Sequence, residues 1–537
     1  MSLDDLISVL YKNRGLNTPK DIQEFLSPTH PQNIKPSDLG ISQKQLSSAI
    51  ALIQKHIKKD HPIAVYGDYD VDGLTATAIV WETLHAIYKN TFPHIPHRVT
   101  EGYGLSNAGI DHCLDQGAKL IITVDNGIVA FDQVAYAKSR DCDVLVVDHH
   151  EKLDSLPKAD VFIHSTATSA AGLSWFLAQE LRSLYKSNFS APDSDLLSLV
   201  AISVICDLVP LLGINRSFAK YGLEQLNNTT RPGLKALFQL SGLSKKSSIG
   251  PYEVGFIIGP RLNASGRLAH ALDSLRLLCT TSVQRGFDLA ATLESVNSDR
   301  QRLTEVSTQN AYSQVSSVDI PDILISADAS YNEGIIGLIA AKLVERFHRP
   351  SLAISIGTSK CKGSARSIPG FHITDFLRQF SDIFDSVGGH AMAAGFTLPT
   401  ENLDLFTQKA TASASSFITP EMLVKQHRID ARVKLSDLNL DLYSKLEEFA
   451  PFGLGNPRPV FASENVSIFG LKRVGASQNH LRFQAESFPA IYFSAPAEIP
   501  ADISKADIIY SLDLNTFNGL SNLQLLIKNI SYGSVSD

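Results

Sequence analysis

The sequence predicts an α/β fold: a domain with a parallel sheet, joined by a long helix to a smaller α/β domain and followed by a C-terminal β-barrel. Three observations predict it. From Pro62 to about Leu278, short and continuously apolar runs alternate with helical stretches, the pattern of strands buried on both faces. The stretch from 284 to 317 has few helix breakers. From 427 onward the hydrophobicity alternates with period two, in short runs at roughly ten-residue spacing.

Taken in order, residues 1–50 read as a helical segment, and the basic run KHIKK (55–59) precedes the first clear strand. That strand is PIAVYG (62–67). A helix over 73–90 follows, then the strand KLIITV (119–124), a helix over 127–138 and the strand DVLVV (143–147). After Ser165 the reading is largely helical. One helix over 284–317 bridges to DILIS (322–326), a helix over 334–347, SLAISI (351–356), KGSAR (362–366), a helix near 373–380, the glycine-rich VGGHAMAAG (387–395) and a helix over about 401–418. Strands in HRIDARVKL, ENVSIFGLKRVG, HLRFQA, PAIYFS, ADIIYSLDL and LQLLIKNI complete the chain. The division expected is 1–50, 51–283, 284–317, 318–420 and 421–537.

The 537 residues suit about three or four domains at roughly 150 residues each. With 44% hydrophobic and 19% charged residues the composition is that of a globular protein. Lys and Arg number 48 against 55 Asp and Glu, a net charge of −7. A polyanion site must then be a local basic or metal-loaded patch. Five scattered cysteines without a CxxC pair exclude a disulfide scaffold and a zinc ribbon, and fit a reducing cytoplasm. The first residues carry acids where a signal peptide wants bases, and no apolar run reaches 18 residues, so no membrane association is expected.

The chemistry sits where strands end. The first strand runs into Gly67-Asp68-Tyr69-Asp70-Val71-Asp72-Gly73. Three carboxylates over five residues repel one another unless a cation holds them, and this edge is where open α/β sheets place ligands. An N-cap cluster for the next helix is the plainer alternative, although one Asp suffices for a cap. The second strand ends at Asp125-Asn126-Gly127 and the third at Asp148-His149-His150. The spacing is that of strand–helix–strand steps, so the ends can converge into a mixed oxygen and nitrogen site for Mn or Mg, with Zn less suited. Asp207, in SVICDLVPL, lies among apolar neighbours. It is either a further ligand or a helix-end Asp bonded to backbone amides.

In that order, YGDYDVDG, TVDNG, VVDHH and CDLVPL resemble the four motifs of the DHH phosphoesterase superfamily. Together with EGYGLS, IGPRLNASGRL, EGIIGLIAAKL, GSARSI, GGHAMAAGF and PFGLGNPRPVF, they resemble its RecJ family of bacterial single-strand-specific exonucleases. The resemblance implies a DHH domain, a DHHA1 substrate-binding domain and an OB-fold. It implies two divalent ions, Mn2+ or Mg2+, with Asp68, Asp70, Asp72, Asp125, His149 and Asp207 at metal positions. His150 is implied near the scissile phosphate, and Asp68 and Asn126 in the catalytic group, Asn126 as a support for its neighbour. Two departures stand out. VFIHSTATSAAGLSW lacks the family's Asn-Pro pair, and Ala269-His270 follow GRL where an acid is usual. They put the DNA channel and helix packing in question more than the chemistry.

On the substrate side, Ser364 and Arg366 in GSARS, and Gly388, Gly389 and His390 in GGH, suit a phosphate clamp. A glycine turn with a core histidine is the plainer alternative. Arg261, Asn263 and Arg267 form a second candidate. In the barrel, Lys472, Arg473, His480 and Arg482 with Phe483, Tyr492 and Phe493 fit a single-strand surface or, equally, a barrel core with a wetted face. The activity implied is 5′→3′ hydrolysis of single-stranded DNA to 5′-mononucleotides in recombination and repair, by a monomer. A RecQ-type helicase and a single-strand-binding protein are the implied partners. A phosphoesterase for short oligonucleotides or cyclic dinucleotides is the alternative, and an inactive scaffold is disfavoured because no ligand is missing.

Overall fold

The computed structural model describes all residues except 1, 99, 190–193, 247, 316–319, 476–477, 497, 501, 518–519 and 533–537. Its first sheet consists of β1 (Ile63–Tyr66), β2 (Thr91–His94), β3 (Leu120–Val124), β4 (Asp143–Asp148) and β5 (Val161–His164). All five are parallel, in the order β2-β1-β3-β4-β5. β1 and β3 are buried at every residue, which is why they read as unbroken apolar runs. The edge strands β2 and β5 escape sequence reading because each is short and half-wetted, and β2 carries Pro93.

The helix after β1 spans Val71–Ile87, starting two residues earlier than expected because Asp70 caps it. The helix after β3 is Phe131–Ser139 and starts later than expected. Asp125 (φ 64°) and Gly127 (φ 109°) hold left-handed backbone there, which no right-handed helix accepts.

The long helix is Val283–Val315, about 50 Å at 1.5 Å per residue; residues 316–317 of the expected span lie outside the described residues. Gly286, Ala290 and Leu293 are buried in its first half and Ala311 and Val315 in its second. The second domain contains β6 (Leu324–Asp328), β7 (Ser351–Ile356), β8 (Lys360–Arg366), β9 (Ser386–Gly389) and β10 (Ala393–Pro399), in the order β6-β7-β8-β10-β9. Only the β6–β7 pair is parallel. The glycine-rich run forms β9, β10 and the tight turn between them. The barrel comprises β11 (Ala431–Arg432), β12 (Phe461–Val474), β13 (His480–Ala485), β14 (Phe488–Tyr492), β15 (Lys505–Phe517) and β16 (Leu520–Ser531), closed by β12 pairing with β15.

The N-terminal segment divides between two cores. Leu6, Leu10 and Phe25 pack with Phe449 and Phe461 of the C-terminal module, whereas Ile41, Leu46 and Ile53 join the core of the first domain. Arg216, 1% exposed, ties these parts together. Its Nε donates to the Phe25 carbonyl at 2.6 Å, Nη1 to Phe449 at 3.0 Å and Nη2 to Ala450 at 2.8 Å. The Leu211 amide donates to the Leu454 carbonyl nearby at 2.7 Å. Among the described residues no helix is long and apolar enough to cross a membrane. Arg216→Ala would leave a cavity and take the side-chain donor from the Phe25 and Ala450 carbonyls, while the Phe449 carbonyl would keep Asn456 Nδ2 at 2.8 Å. We expect a loss of about 3 kcal/mol or more in urea unfolding, with new protease cleavage at the junctions that Arg216 joins; unchanged stability would contradict this role.

Candidate metal centre

The carboxyl ends of β1, β3 and β4 lie side by side, so each delivers its polar residues to one rim. Past β1, Asp68 is fully buried. Gly73 is required there, because a Cβ would come 2.6 Å from the Asp68 amide nitrogen. Asp70 Oδ1 accepts from the Asp72 and Gly73 amides at 3.0 and 3.2 Å, capping the helix. The cap and site readings of Asp70 are thus compatible: one oxygen caps and the other is left to the site. Asp72, 2% exposed, accepts from the Ala170 and Ala171 amides at 2.7 and 2.9 Å and from the Ser203 hydroxyl at 2.6 Å. It is fixed at the N-terminus of the helix Ala170–Leu184.

Asp125 follows β3 in a left-handed conformation that Asp tolerates better than most residues. His149 Nε2 lies 3.2 Å from Asp125 Oδ1, 3.5 Å from Asp72 Oδ2 and 3.7 Å from Asp207 Oδ2. Asp207 sits at the end of the helix Ser194–Cys206, its amide donating to the Ser203 carbonyl at 2.8 Å. Three groups each bring candidate ligand atoms within 4.8 Å of one another: Asp125, His149 and His150; Asp72, His149 and Asp207; and Asp68, Asp70 and Asp125.

These residues fit divalent cations. Both Asp68 carboxylate oxygens, Asp125 Oδ1 and His149 Nε2 are buried without a well-formed hydrogen bond, a costly state unless a cation faces them. Burial, then the neighbouring carboxylates, pushes Asp68, Asp70 and Asp125 above the ordinary carboxylate range, and Asp207 up to about 8. Oxygen-rich ligands with one imidazole match Mn2+ or Mg2+.

His150 is held by a residue absent from the sequence-derived site. Asp148, 1% exposed, accepts from His150 Nδ1 at 2.8 Å and from the Ile128 amide at 2.9 Å. Tyr103 Oη lies 3.0 Å from His150 Nε2, and His164 Nε2 is 2.7 Å from the His150 carbonyl. Burial lowers the His150 pKa, but Asp148, Asp207 and Asp72 outweigh it and raise it to about 9. The signal for Asp148 was present in the VVDHH string; that for Tyr103 was present in EGYGLS.

Several expected roles need correcting. Asn126 commits half of its amide to the backbone: Nδ2 donates to the carbonyls of Val124, Gly67 and Tyr66 at 2.9, 3.2 and 3.4 Å, tying β1 to β3 in support of Asp125, while Oδ1 is buried without a partner. Arg261 is committed to Glu294 through Nε and Nη2, a strut to the long helix, and not to phosphate. Asn263 Oδ1 accepts from the Val71 amide at 3.1 Å, which positions the capped helix. Phe483 is 3% exposed and Tyr492 packs on the barrel core, so neither is a stacking surface, whereas Phe493 is 57% exposed.

Arg267 and Arg366 do converge. Arg267 Nη1 donates to the Gly334 carbonyl of the second domain at 3.0 Å. Arg366 Nη1 donates to Ser364 Oγ at 3.1 Å and the Ala365 carbonyl at 2.9 Å. Burial, then Arg98, Arg300 and Arg366, lowers Arg267 to about 10, with Asp70 opposing. Burial and Arg98 lower Arg366 as well. Arg98, which no sequence pattern marked, lies over the Tyr69 ring at 5.1 Å. Clustered guanidiniums beside a carboxylate rim make an anion site next to a cation site. Gly388, Gly389 and His390 are exposed. They flank Arg366 in the sheet, since Ala393 pairs with Arg366 and Ala394 with Gly389.

Family models agree with this layout: the DHH family N-terminal domain matches residues 62–204, the DHHA1 domain 315–416 and the RecJ OB domain 429–529. The chain is 31% identical to the single-stranded-DNA-specific exonuclease RecJ of Bacillus subtilis, over 98% of this chain and 68% of that protein. The chain belongs to the RecJ family. RecJ of Escherichia coli is 28% identical over 98% of this chain and 96% of its own. The crystal structure of Thermus thermophilus RecJ in complex with Mn2+ superposes with a TM-score of 0.83 at 25% identity, over 99% of this chain and 76% of that one. Exonuclease RecJ bound to manganese gives 0.63 at 30% identity, over 72% of this chain and 97% of that one. In the segment without the expected Asn-Pro pair, β5 leads into a turn ending at Ser169, whose hydroxyl caps the helix that binds Asp72.

In metal-stripped protein, the His150 imidazole should titrate near 9 by NMR. Asp148→Asn should move it down toward the ordinary histidine range. An unmoved titration would show that Asp148 does not set the charge of His150.

Proposed function

We propose that this chain is a metal-dependent exonuclease specific for single-stranded DNA, working from the 5′ end and releasing 5′-mononucleotides in recombination and repair. The observation that carries this reading is the convergence of five carboxylates and His149 beside the Arg98, Arg267 and Arg366 cluster. Asp68, Asp70, Asp72, Asp125, His149 and Asp207 are the residues that would hold two divalent ions. When bound, such ions supply Lewis acidity, an activated water and charge to steady both oxygens of an in-line displacement.

The chain's own groups do the rest. Arg98, Arg267 and Arg366, with Ser364, take up phosphate charge at the 5′ end, and the Gly388–His390 turn borders that pocket. His150, held through Nδ1 by Asp148, presents Nε2 at the site 3.0 Å from Tyr103 Oη, where it can meet a phosphate oxygen in place of the tyrosine. The 3′ oxygen of the terminal nucleotide leaves, and the shortened strand keeps a 5′-phosphate for the next cycle.

The unit boundaries that suit this reading are 51–283 for the phosphoesterase domain, 318–420 for the substrate domain and 421–537 for the barrel. A cytoplasmic monomer that receives its strand from a RecQ-type helicase and a single-strand-binding protein suits it as well.

Wild-type protein and Asp125→Ala should be compared on 5′- and 3′-end-labelled single and double strands with Mn2+ or Mg2+. Label should leave the 5′ end of single strands first, and the variant should be slower by about a thousandfold or more. Equal digestion of duplex, or an active variant, would refute the assignment.

A further inference from the structure

Two segments of the first domain carry arginines of the anion site. Arg98 lies in the loop after β2, and Arg267 near the end of the helix Gly259–Leu268. Their charges oppose each other, since Arg98 lowers the Arg267 pKa. Something must hold them together before a phosphate arrives. Beside them lies the second departure in the sequence: Ala269 and His270 stand where an acid is expected after GRL.

His97 and His270 face each other, with ring centroids 5.8 Å apart at 52°. His97 is half-buried and His270 exposed. Their contact closes a circuit. Arg98 follows His97 and lies over the Tyr69 ring at 5.1 Å. Tyr69 is backbone-close to Gly266, where a Cβ would come 2.7 Å from the Tyr69 carbonyl oxygen. Gly266 leads through Arg267 to His270, and His270 leads back to His97.

Both rings are built to be neutral. His97 Nδ1 accepts from the Thr100 amide at 3.3 Å and His270 Nδ1 from the Leu272 amide at 3.1 Å. Each neutral ring therefore carries its proton on Nε2. A second proton would displace a backbone hydrogen bond and set two cations against each other. The loop under His97 is fixed as well. Glu101 Oε1 accepts from the His97 amide at 2.9 Å, the Glu101 amide donates to the His97 carbonyl at 2.8 Å, and Glu101 Oε2 lies 3.0 Å from His94 Nε2. The acids facing the pair are Glu101 and Asp273, and the bases are Arg98, Arg276 and His94. Glu101 is already taken by the loop, and Asp273 is paired with Arg276 at 2.9 Å. Partial burial, then His97, lowers the His270 pKa, with Glu101 and Asp273 opposing and Arg276 assisting.

We propose that His97 and His270 are positioning residues: as a neutral pair they clasp the Arg98 loop to the Arg267 helix at the spacing that takes a 5′-terminal phosphate. The proposal rests on the exonuclease reading, in which these arginines take up that phosphate. The pair acts on the preference for a phosphorylated end, through the arginines, and touches neither strand nor metal. Charging the rings parts them, so the preference is fully present with neutral rings and is lost as the pH falls below the ordinary histidine range.

The test uses the full chain with Mn2+ and two forms of one strand of about twelve nucleotides, 5′-phosphorylated and 5′-hydroxyl, with their 5′ linkages made phosphorothioate. Fluorescence anisotropy gives the affinity for each, and their ratio is the preference for a 5′-phosphate. His270→Asn keeps an acceptor for the Leu272 amide but removes the ring on which His97 packs. At about pH 7.5 it should lower the preference by about tenfold and leave the 5′-hydroxyl affinity at the wild-type value. Between about pH 7.5 and about pH 5.5 the wild-type preference should fall more steeply than that of the variant. Both share the titration of the phosphate, and only the wild type has the pair to charge. His270→Asp should reverse that added pH dependence, since its carboxylate gains from a protonated His97. Wild-type preference and pH profile in His270→Asn would overturn the proposal, as would an equal loss on both strands. If wild-type protein left unmodified strands undigested, the exonuclease reading would fail, while the preference ratios would still decide the pair.

Discussion

Like charges crowded out of water govern this structure. Asp68, Asp72 and Asp125 are all nearly inaccessible, and Asp70 and Asp207 lie against them. Isolated buried carboxylates cost several kcal/mol each, and here backbone amides offset only part of that for Asp70 and Asp72. The remainder is a demand for cations. The parallel sheet makes the crowding possible, because parallel strands all end at the same rim and their short turns project side chains toward one point. Asp125 adds local backbone strain to the same rim, held in place by Asn126.

A second constraint is the meeting of two domains over that rim. Arg267 belongs to the first domain and Arg366 to the second, yet Arg366 lowers the proton affinity of Arg267, and Arg98 of the first domain lowers that of Arg366, because the domains touch. The contact is backbone-close: a Cβ at Gly334 would stand 2.2 Å from the Arg267 carbonyl oxygen. The 33-residue helix spans the distance between the domain cores, with Ala290 and Leu293 in the first and Ala311 and Val315 in the second. Positive charge is thereby concentrated beside a negative rim, within a chain that is acidic overall, and long-range attraction for a polyanion becomes local.

Much of the metal centre was legible in the chain. Alternating acids immediately past an apolar strand have few structural uses, and three strand ends with polar tips fit one sheet edge. What escaped detection was of two kinds. Edge strands β2 and β5 lack an unbroken apolar signal because water reaches one side of them. Supporting residues, such as Arg98 or the Glu294 partner of Arg261, act across sequence distances that no local pattern records. Arg261 looked like a phosphate ligand for the same reason: its occupied state depends on a helix 33 residues away.

By itself, the sequence determined the order of domains, the strand ends that carry the acids, and the chemical type of ion they can hold, because these follow from local periodicity and from which side chains stand together. Only the tertiary structure decided which oxygens are committed to helix caps and which are left unpartnered, that His150 is held by Asp148, and which arginines are free for phosphate. Those outcomes depend on distances between segments far apart in the chain, and packing alone sets such distances.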